Sequence, residues 1–125
     1  MQYMLLAVCG LGGVGSRFAV DKLVAGAGMP APVGTLSINV VGSLLAGVFY
    51  VLGTERALIS PVLATSVLVG FCGGFTTFSA YSLQTVVLVE KGNASAALAY
   101  LFLSPLLGFA AAYLGVFAAR SFSGV

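Results

Sequence analysis

The chain has 125 residues, of which 60 % are hydrophobic and 6 % are charged, and its mean hydropathy is +1.14. An average soluble domain carries roughly 25 % charged residues, and the few ions present here cannot solvate the surface of a domain of this length. The composition excludes a water-soluble globular protein and a disordered chain, and it predicts a protein that crosses the lipid bilayer several times.

Charged and turn-forming residues divide the chain into four apolar runs. A transmembrane helix needs about 20 apolar residues, and the first predicted span covers residues 3–20. A connector rich in Gly and Pro follows at residues 26–32, and this composition suits a turn. The other predicted spans are residues 33–52, 57–89 and 94–119. The predicted fold is therefore an all-α integral membrane protein with four transmembrane helices, forming one domain over residues 1–125.

The first span contains a glycine pattern, Gly10 to Gly15, that matches the dinucleotide-binding fingerprint G-x-G-x-x-G. That fingerprint needs a strand, a helix and an acidic residue about 20 positions later. Asp21 comes too early for that role and Glu55 comes too late. We interpret the glycines as small residues that let two membrane helices approach closely.

The third run is too long for one perpendicular helix. Its 33 residues would form a helix of about 50 Å, against a hydrocarbon core of about 30 Å. Gly73 and Gly74 in its middle precede Thr76 and Thr77, and these residue types continue a helix poorly. The pattern predicts a helix broken near the bilayer midplane at residues 73–77, where free backbone needs cover from protein or a polar cavity. The alternative is one tilted helix with a glycine kink.

The cations at the ends of the spans barely favour one orientation. Arg56 and Arg120 fall on the side of the N-terminus, and Arg17, Lys22 and Lys91 fall on the other. A difference of one cation is a weak determinant under the positive-inside rule. We therefore predict that the chain inserts both ways and assembles as an antiparallel homodimer, which would also cover polar residues of a thin bundle. The alternative is that a single orientation prevails.

The ionisable residues are absent from the middle of every span. The sequence has no His and no paired carboxylates, so general acid-base catalysis lacks its usual groups, and the chain is not expected to be an enzyme. Proton-coupled transport also relies on ionisable groups within the membrane. The scattered cations form no basic cluster, so nucleic-acid binding is not expected. Cys9 and Cys72 lie in apolar stretches and are expected to be small buried thiols.

Neutral polar side chains remain in the spans, and they suit the passage of an anion. Hydroxyl and amide donors bind an anion weakly enough for it to leave, whereas a Lys or Arg would hold it firmly. Phe78 and Tyr81 are three residues apart, so they share a helix face, and the positive edge of an aromatic ring can contact a small anion. The carbonyls that end the helix before the break would favour a cation.

Three segments carry a resemblance to a known family. They are Gly12-Gly13-Val-Gly15-Ser-Arg17, Gly34-Thr-Leu-Ser-Ile-Asn39-Val-Val-Gly42-Ser43 and Gly70-Phe-Cys-Gly73-Gly74-Phe-Thr76-Thr77-Phe78-Ser79-Ala-Tyr81-Ser82. With these segments, the chain resembles the Fluc fluoride channels, also called CrcB, over essentially its whole length. The third segment is the most specific.

The resemblance implies a dual-topology antiparallel homodimer in the bacterial plasma or inner membrane, with two pores that export fluoride passively. It implies a structural sodium ion, Na+, at the dimer centre, held by the backbone carbonyls of Gly73 and Thr76 from both subunits. It places Asn39 at a pore mouth, where its amide donates to fluoride. The remaining implied pathway residues are an aromatic box of Phe78 and Tyr81 and a polar track of Thr77, Ser79, Tyr100 and Ser104.

The chain departs from the family pattern at two positions. Tyr81 stands where the family usually has Phe, so the role of its added hydroxyl is open. Gln84 stands where an acidic residue is common, which puts in doubt any acid-dependent role at the pore entrance. Two other functions remain as alternatives. A small proton-coupled multidrug exporter would need a carboxylate within the membrane, and a non-conducting assembly subunit would leave the third span unexplained.

Overall fold

The structure, a computed structural model, describes residues 1–122, and these residues form helices joined by short connections. The helices are α1 (Gln2–Gly26), α2 (Ala31–Glu55), α3 (residues 61–75), α4 (Phe78–Glu90) and α5 (Ala94–Phe122). With residues 61–90 counted as one segment, four segments are long and apolar enough to cross a membrane. The predicted all-helical membrane fold with four spans is confirmed.

The third span begins at Pro61, four residues after the predicted start at residue 57. Ser60 caps the helix, because its hydroxyl accepts a hydrogen bond from the backbone N–H of Leu63 at 3.2 Å. Proline suits the first turn, where its missing N–H is not needed. Residues 57–60 instead belong to the connection from α2, and Ala57 adopts a left-handed φ of 51° there.

Two residues of extended backbone separate α3 from α4. Thr76 has φ −75° and ψ 159°, and Thr77 has φ −151° and ψ 115°. The hydroxyl of Thr77 accepts a hydrogen bond from the N–H of Ala80 at 3.2 Å and so caps the start of α4. The hydroxyl of Thr76 donates to the carbonyl of Cys72 at 2.8 Å, at the end of α3.

Helix α1 packs against α3 through glycines on both helices. A Cβ at Gly13 would overlap the carbonyl oxygen of Phe71 and would lie 2.9 Å from the backbone nitrogen of Phe75. A Cβ at Gly74 would lie 2.7 Å from the carbonyl oxygen of Gly10. The glycine pattern in α1 therefore allows two backbones to touch, as the sequence indicated.

Helix α2 packs against α5, and their backbones touch near residues 44–47 of α2. A Cβ at Gly47 would overlap the carbonyl oxygen of Ala112, and a Cβ at Gly115 would overlap that of Leu44. Beyond this contact, Arg120 and Glu55 form an ion pair with a shortest N–O distance of 2.7 Å. Toward Asn39 the two helices separate, and a groove opens between them.

Candidate functional site

A groove of about 320 Å³ lies where α2, the start of α4 and the middle of α5 meet. Its polar lining consists of neutral side chains, and aromatic rings and small residues form the rest. The lining residues are Asn39, Ser43, Phe78, Tyr81, Ser104, Pro105, Gly108, Phe109 and Ala112. Four predicted pathway residues, Asn39, Phe78, Tyr81 and Ser104, are thus brought together.

Asn39 uses both atoms of its amide to hold the extended backbone at Thr77. Its Nδ2 donates to the Thr77 carbonyl at 3.1 Å, and its Oδ1 accepts from the Thr77 N–H at 2.8 Å. An amide nitrogen carries two N–H bonds, so one donor of Asn39 remains beyond this pair. Asn39 also lines the groove, and this second donor is the one that an anion there can use.

The extended segment leaves the backbone carbonyls of residues 73–76 without their usual helical donors. In an unbroken helix the N–H of Thr77 would donate to the carbonyl of Gly73, but here it donates to Asn39. Similarly, the N–H of Ala80 donates to the hydroxyl of Thr77 and not to the carbonyl of Thr76. The carbonyls of Gly73 and Thr76 belong to this set, and they are the two predicted sodium ligands.

The aromatic rings of Phe78 and Tyr81 form a tilted pair beside the groove. Their centroids are 5.6 Å apart at an interplanar angle of 47°. Phe78 is 79 % exposed, whereas Tyr81 is buried. Tyr81 also meets the ring of Tyr100 edge to face, with centroids 5.2 Å apart. Tyr100 lies beyond Tyr81 and does not line the groove.

The hydroxyl of Tyr81 has a structural partner on α5. It donates to the carbonyl oxygen of Leu101 at 2.6 Å. In an α-helix this carbonyl would accept from the residue four positions later, which here is Pro105 and has no N–H. Tyr81 therefore supplies the hydrogen bond that the proline cannot, and a phenylalanine at this position could not supply it.

A chain of hydrogen bonds connects Tyr100, Gln84 and Thr35. The Tyr100 hydroxyl donates to Gln84 Oε1 at 2.8 Å, and Gln84 Nε2 donates to Thr35 Oγ1 at 2.9 Å. Thr35 and Gln84 also line a second cavity, of about 230 Å³, together with Asp21. The neutral amide of Gln84 both donates and accepts a hydrogen bond in this series.

Two serine hydroxyls in the groove make no hydrogen bond within residues 1–122. Serines inside helices commonly donate to the carbonyl four residues earlier, as Ser66 does to Val62 at 2.7 Å. Ser104, which is 5 % exposed, and Ser43 do not do so. Ser43 is one of the neutral polar residues of the second span that the sequence offered as possible lining, but the family resemblance did not place it in the pathway. Its position one turn after Asn39 on α2 is the pattern that could have indicated it.

The other two predicted pathway residues lie beside the groove and not in its lining. Thr77 is buried and caps α4. Ser79 is exposed, and its hydroxyl lies 3.3 Å from that of Thr77. Their hydroxyls therefore shape the start of α4 in this chain.

A four-span helical bundle that holds neutral donors and aromatic edges in one groove defines a multi-pass membrane protein with a candidate path for a small anion. The family described as CrcB-like protein, Camphor Resistance (CrcB), matches residues 4–116, and the chain belongs to this family. The resemblance stated from the sequence motifs is thereby confirmed.

Several curated relatives match the chain over nearly their whole length. The fluoride-specific ion channel FluC of Magnetococcus marinus is 40 % identical over 121 residues, which are 96 % of this chain and 98 % of the relative. The FluC of Chlorobium chlorochromatii is 39 % identical over 97 % of this chain and 94 % of its own length. The FluC of Coxiella burnetii is 41 % identical over 90 % of this chain and 91 % of its own length. The family is one of bacterial ion channels and not of enzymes.

Proposed function

We propose that the chain forms a fluoride-selective channel that releases fluoride passively from the cytoplasm through the groove between α2, α4 and α5. The observation that carries this proposal is the uncharged groove, where the hydroxyl of Ser104, a buried residue, has no hydrogen-bond partner within residues 1–122. The relatives named as fluoride-specific channels support the identity of the ion.

The groove residues replace the water that a fluoride ion loses. Ser104 and the second N–H of Asn39 donate hydrogen bonds to the ion, and the edges of Phe78 and Tyr81 contact it with their positive rims. The lining contains no full positive charge, so the ion is held weakly enough to move on. Fluoride enters a cell as HF and dissociates in a less acidic cytoplasm, so its release down a gradient needs no coupling group.

The assembly that we propose is an antiparallel homodimer with two pores. The junction of α3 and α4 exposes polar or functional groups that a second copy would cover. Gly73 and Ser79 are exposed, and Phe78 is 79 % exposed although it borders the groove. Isolated polar groups are costly against lipid, so cover by a partner copy is favoured there. One groove in each copy accounts for two pores.

A sodium ion at the centre of this dimer is the second element of the proposal. In this proposal the third span is a helix that is broken at the extended segment of Thr76 and Thr77. This break lies near the bilayer midplane. Sodium suits the carbonyls of Gly73 and Thr76, because their helical donors are engaged elsewhere and unwound carbonyls bind Na+ in other membrane proteins. When bound, the ion supplies positive charge between the two copies.

We expect replacement of sodium by N-methylglucamine to lower the melting temperature of the purified protein, and an unchanged melting temperature would count against this site.

Ion efflux from liposomes tests the proposed activity. Vesicles that contain the purified protein are loaded with potassium fluoride or potassium chloride and diluted into an impermeant salt, and valinomycin balances the charge. We expect rapid fluoride release and chloride release no faster than from empty vesicles. Vesicles that retain both ions would refute the channel, and equal release of both would refute its selectivity.

Cysteine labelling tests the dual topology. Cys9 and Cys72 are the only cysteines, so the variant Cys9→Ala/Cys72→Ala provides a background for Asn93→Cys in the loop between α4 and α5. We expect an impermeant maleimide to label only part of the protein in intact cells and all of it after permeabilisation. Complete labelling or no labelling before permeabilisation would indicate a single orientation.

A further inference from the structure

The Ser43 hydroxyl faces across the groove and not back along its own helix. Ser37, one and a half turns earlier on α2, donates to the Val33 carbonyl at 2.9 Å, whereas Ser43 makes no such bond within residues 1–122. Its Oγ instead points at α5, where it lies 3.5 Å from the place that a Cβ at Gly108 would occupy. The rotamer therefore presents an unused donor to the space between the two helices.

Gly108 is the residue that leaves this donor uncovered. It lies one turn after Ser104 on α5 and lines the same groove. One turn further along α2, a Cβ at Gly47 would overlap the carbonyl oxygen of Ala112, so the two backbones meet there. Ser43 and Gly108 thus face each other just before the groove closes between α2 and α5.

We propose that Ser43 is a second hydroxyl donor to the permeating anion, and that the absent side chain at Gly108 keeps this donor accessible. The inference rests on the proposed function, because it assigns two more residues to the same pathway. Ser104 contributes its hydroxyl from α5 and Ser43 contributes its own from α2, so both walls of the groove carry a donor. A hydrogen bond to an anion is stronger than one between neutral groups, which favours this use of the free hydroxyl.

The variant Ser43→Ala tests the donor. We expect fluoride efflux from liposomes to fall about tenfold or more, the effect of losing one hydrogen bond to a charged group. The melting temperature is expected to stay unchanged, because the Ser43 hydroxyl makes no bond within residues 1–122 that the substitution would break. Ser37→Ala is the matched control, since Ser37 is exposed and does not line the groove.

The variant Gly108→Ala keeps Ser43 and tests whether its hydroxyl must be accessible from the groove. Its new methyl group would lie 3.5 Å from Ser43 Oγ, an ordinary contact distance, and alanine favours a helix more than glycine. The variant is therefore expected to fold and to lower fluoride efflux about tenfold by covering the hydroxyl. Gly26→Ala is the matched control, because a Cβ there meets nothing within 4 Å.

The outcomes separate this inference from the proposed function. A wild-type protein that releases no fluoride refutes the channel itself. If the wild-type protein conducts and both Ser43→Ala and Gly108→Ala are as active as their controls, the assignment of Ser43 is overturned. The proposed channel function then still stands. If Ser43→Ala does not assemble, Gly108→Ala decides the question by its efflux relative to Gly26→Ala.

Discussion

The side-chain amide of Asn39 pairs with both backbone groups of Thr77, at 2.8 Å to the N–H and 3.1 Å to the carbonyl. The pair takes the place of the hydrogen bond that Thr77 would give to Gly73 in a continuous helix. One side chain on α2 therefore stabilises the extended backbone between α3 and α4. It also frees the Gly73 carbonyl and keeps one amide donor at the groove.

Asn39→Asp is expected to reduce both stability and fluoride efflux. An aspartate can accept from the Thr77 N–H, but when ionised it cannot donate to the Thr77 carbonyl, and its charge repels an anion. The lost hydrogen bond is expected to cost about 1–3 kcal/mol, measured as a lower melting temperature in detergent. Asn93→Asp is the control, because Asn93 caps α5 at the surface and aspartate caps a helix equally well. Wild-type stability in Asn39→Asp would show that the pair with Thr77 contributes little.

Tyr81→Phe is expected to destabilise the protein, because α5 loses a hydrogen bond to its backbone. The substitution removes the donor to the Leu101 carbonyl, at a cost of about 1–3 kcal/mol. In the Pro105→Ala background the backbone N–H at position 105 can serve that carbonyl, so the same substitution should cost less there. A double-mutant cycle of thermal stability measures the difference. Strictly additive effects would contradict a link between the tyrosine and the proline.

Phe78→Ile is expected to abolish fluoride efflux while the protein still elutes as the wild-type assembly. Isoleucine keeps the side chain apolar but removes the positive ring edge that contacts the anion in the proposed pathway. Phe102→Ile is the control, since Phe102 is an exposed phenylalanine on α5 outside the groove. Normal efflux from Phe78→Ile vesicles would remove this ring from the pathway.

Two neighbouring glycines on α1 are expected to respond very differently to alanine. A Cβ at Gly13 would overlap the carbonyl of Phe71, whereas a Cβ at Gly12 would lie 3.8 Å from the ring of the same residue. Gly13→Ala must therefore separate α1 from α3, and we expect aggregation or a much lower melting temperature. Gly12→Ala should behave as the wild type. Equal stability of the two variants would contradict the close packing of these helices.

The fold was largely predictable from the sequence, because long apolar runs are the dominant feature of a membrane protein. The start of the third span was not, since Ala57, Leu58 and Ile59 are apolar although they lie outside the helix. Hydropathy does not distinguish an apolar connection from a span. The local pattern of Ser60 and Pro61 marks the helix start better, because it reflects backbone hydrogen bonding.

The candidate site was predictable where residues share one helix face. Phe78 and Tyr81 are three residues apart and do line one groove. Contacts between helices depend on how each helix is rotated, and one sequence does not encode that in any local pattern. For this reason the bond from Tyr81 to Leu101 and the place of Ser43 opposite Gly108 emerged only from the structure.

The hydrogen bond between Tyr81 and Leu101 has a consequence for motion in the aromatic pair. Turning the Tyr81 side chain about χ1 would break a 2.6 Å bond and leave the Leu101 carbonyl without that donor. The Phe78 side chain has no polar atom to form such a hydrogen bond, and it is 79 % exposed. In the proposed pathway, Tyr81 is therefore the fixed ring of the pair, and any ring rotation that accompanies the passage of an ion falls to Phe78.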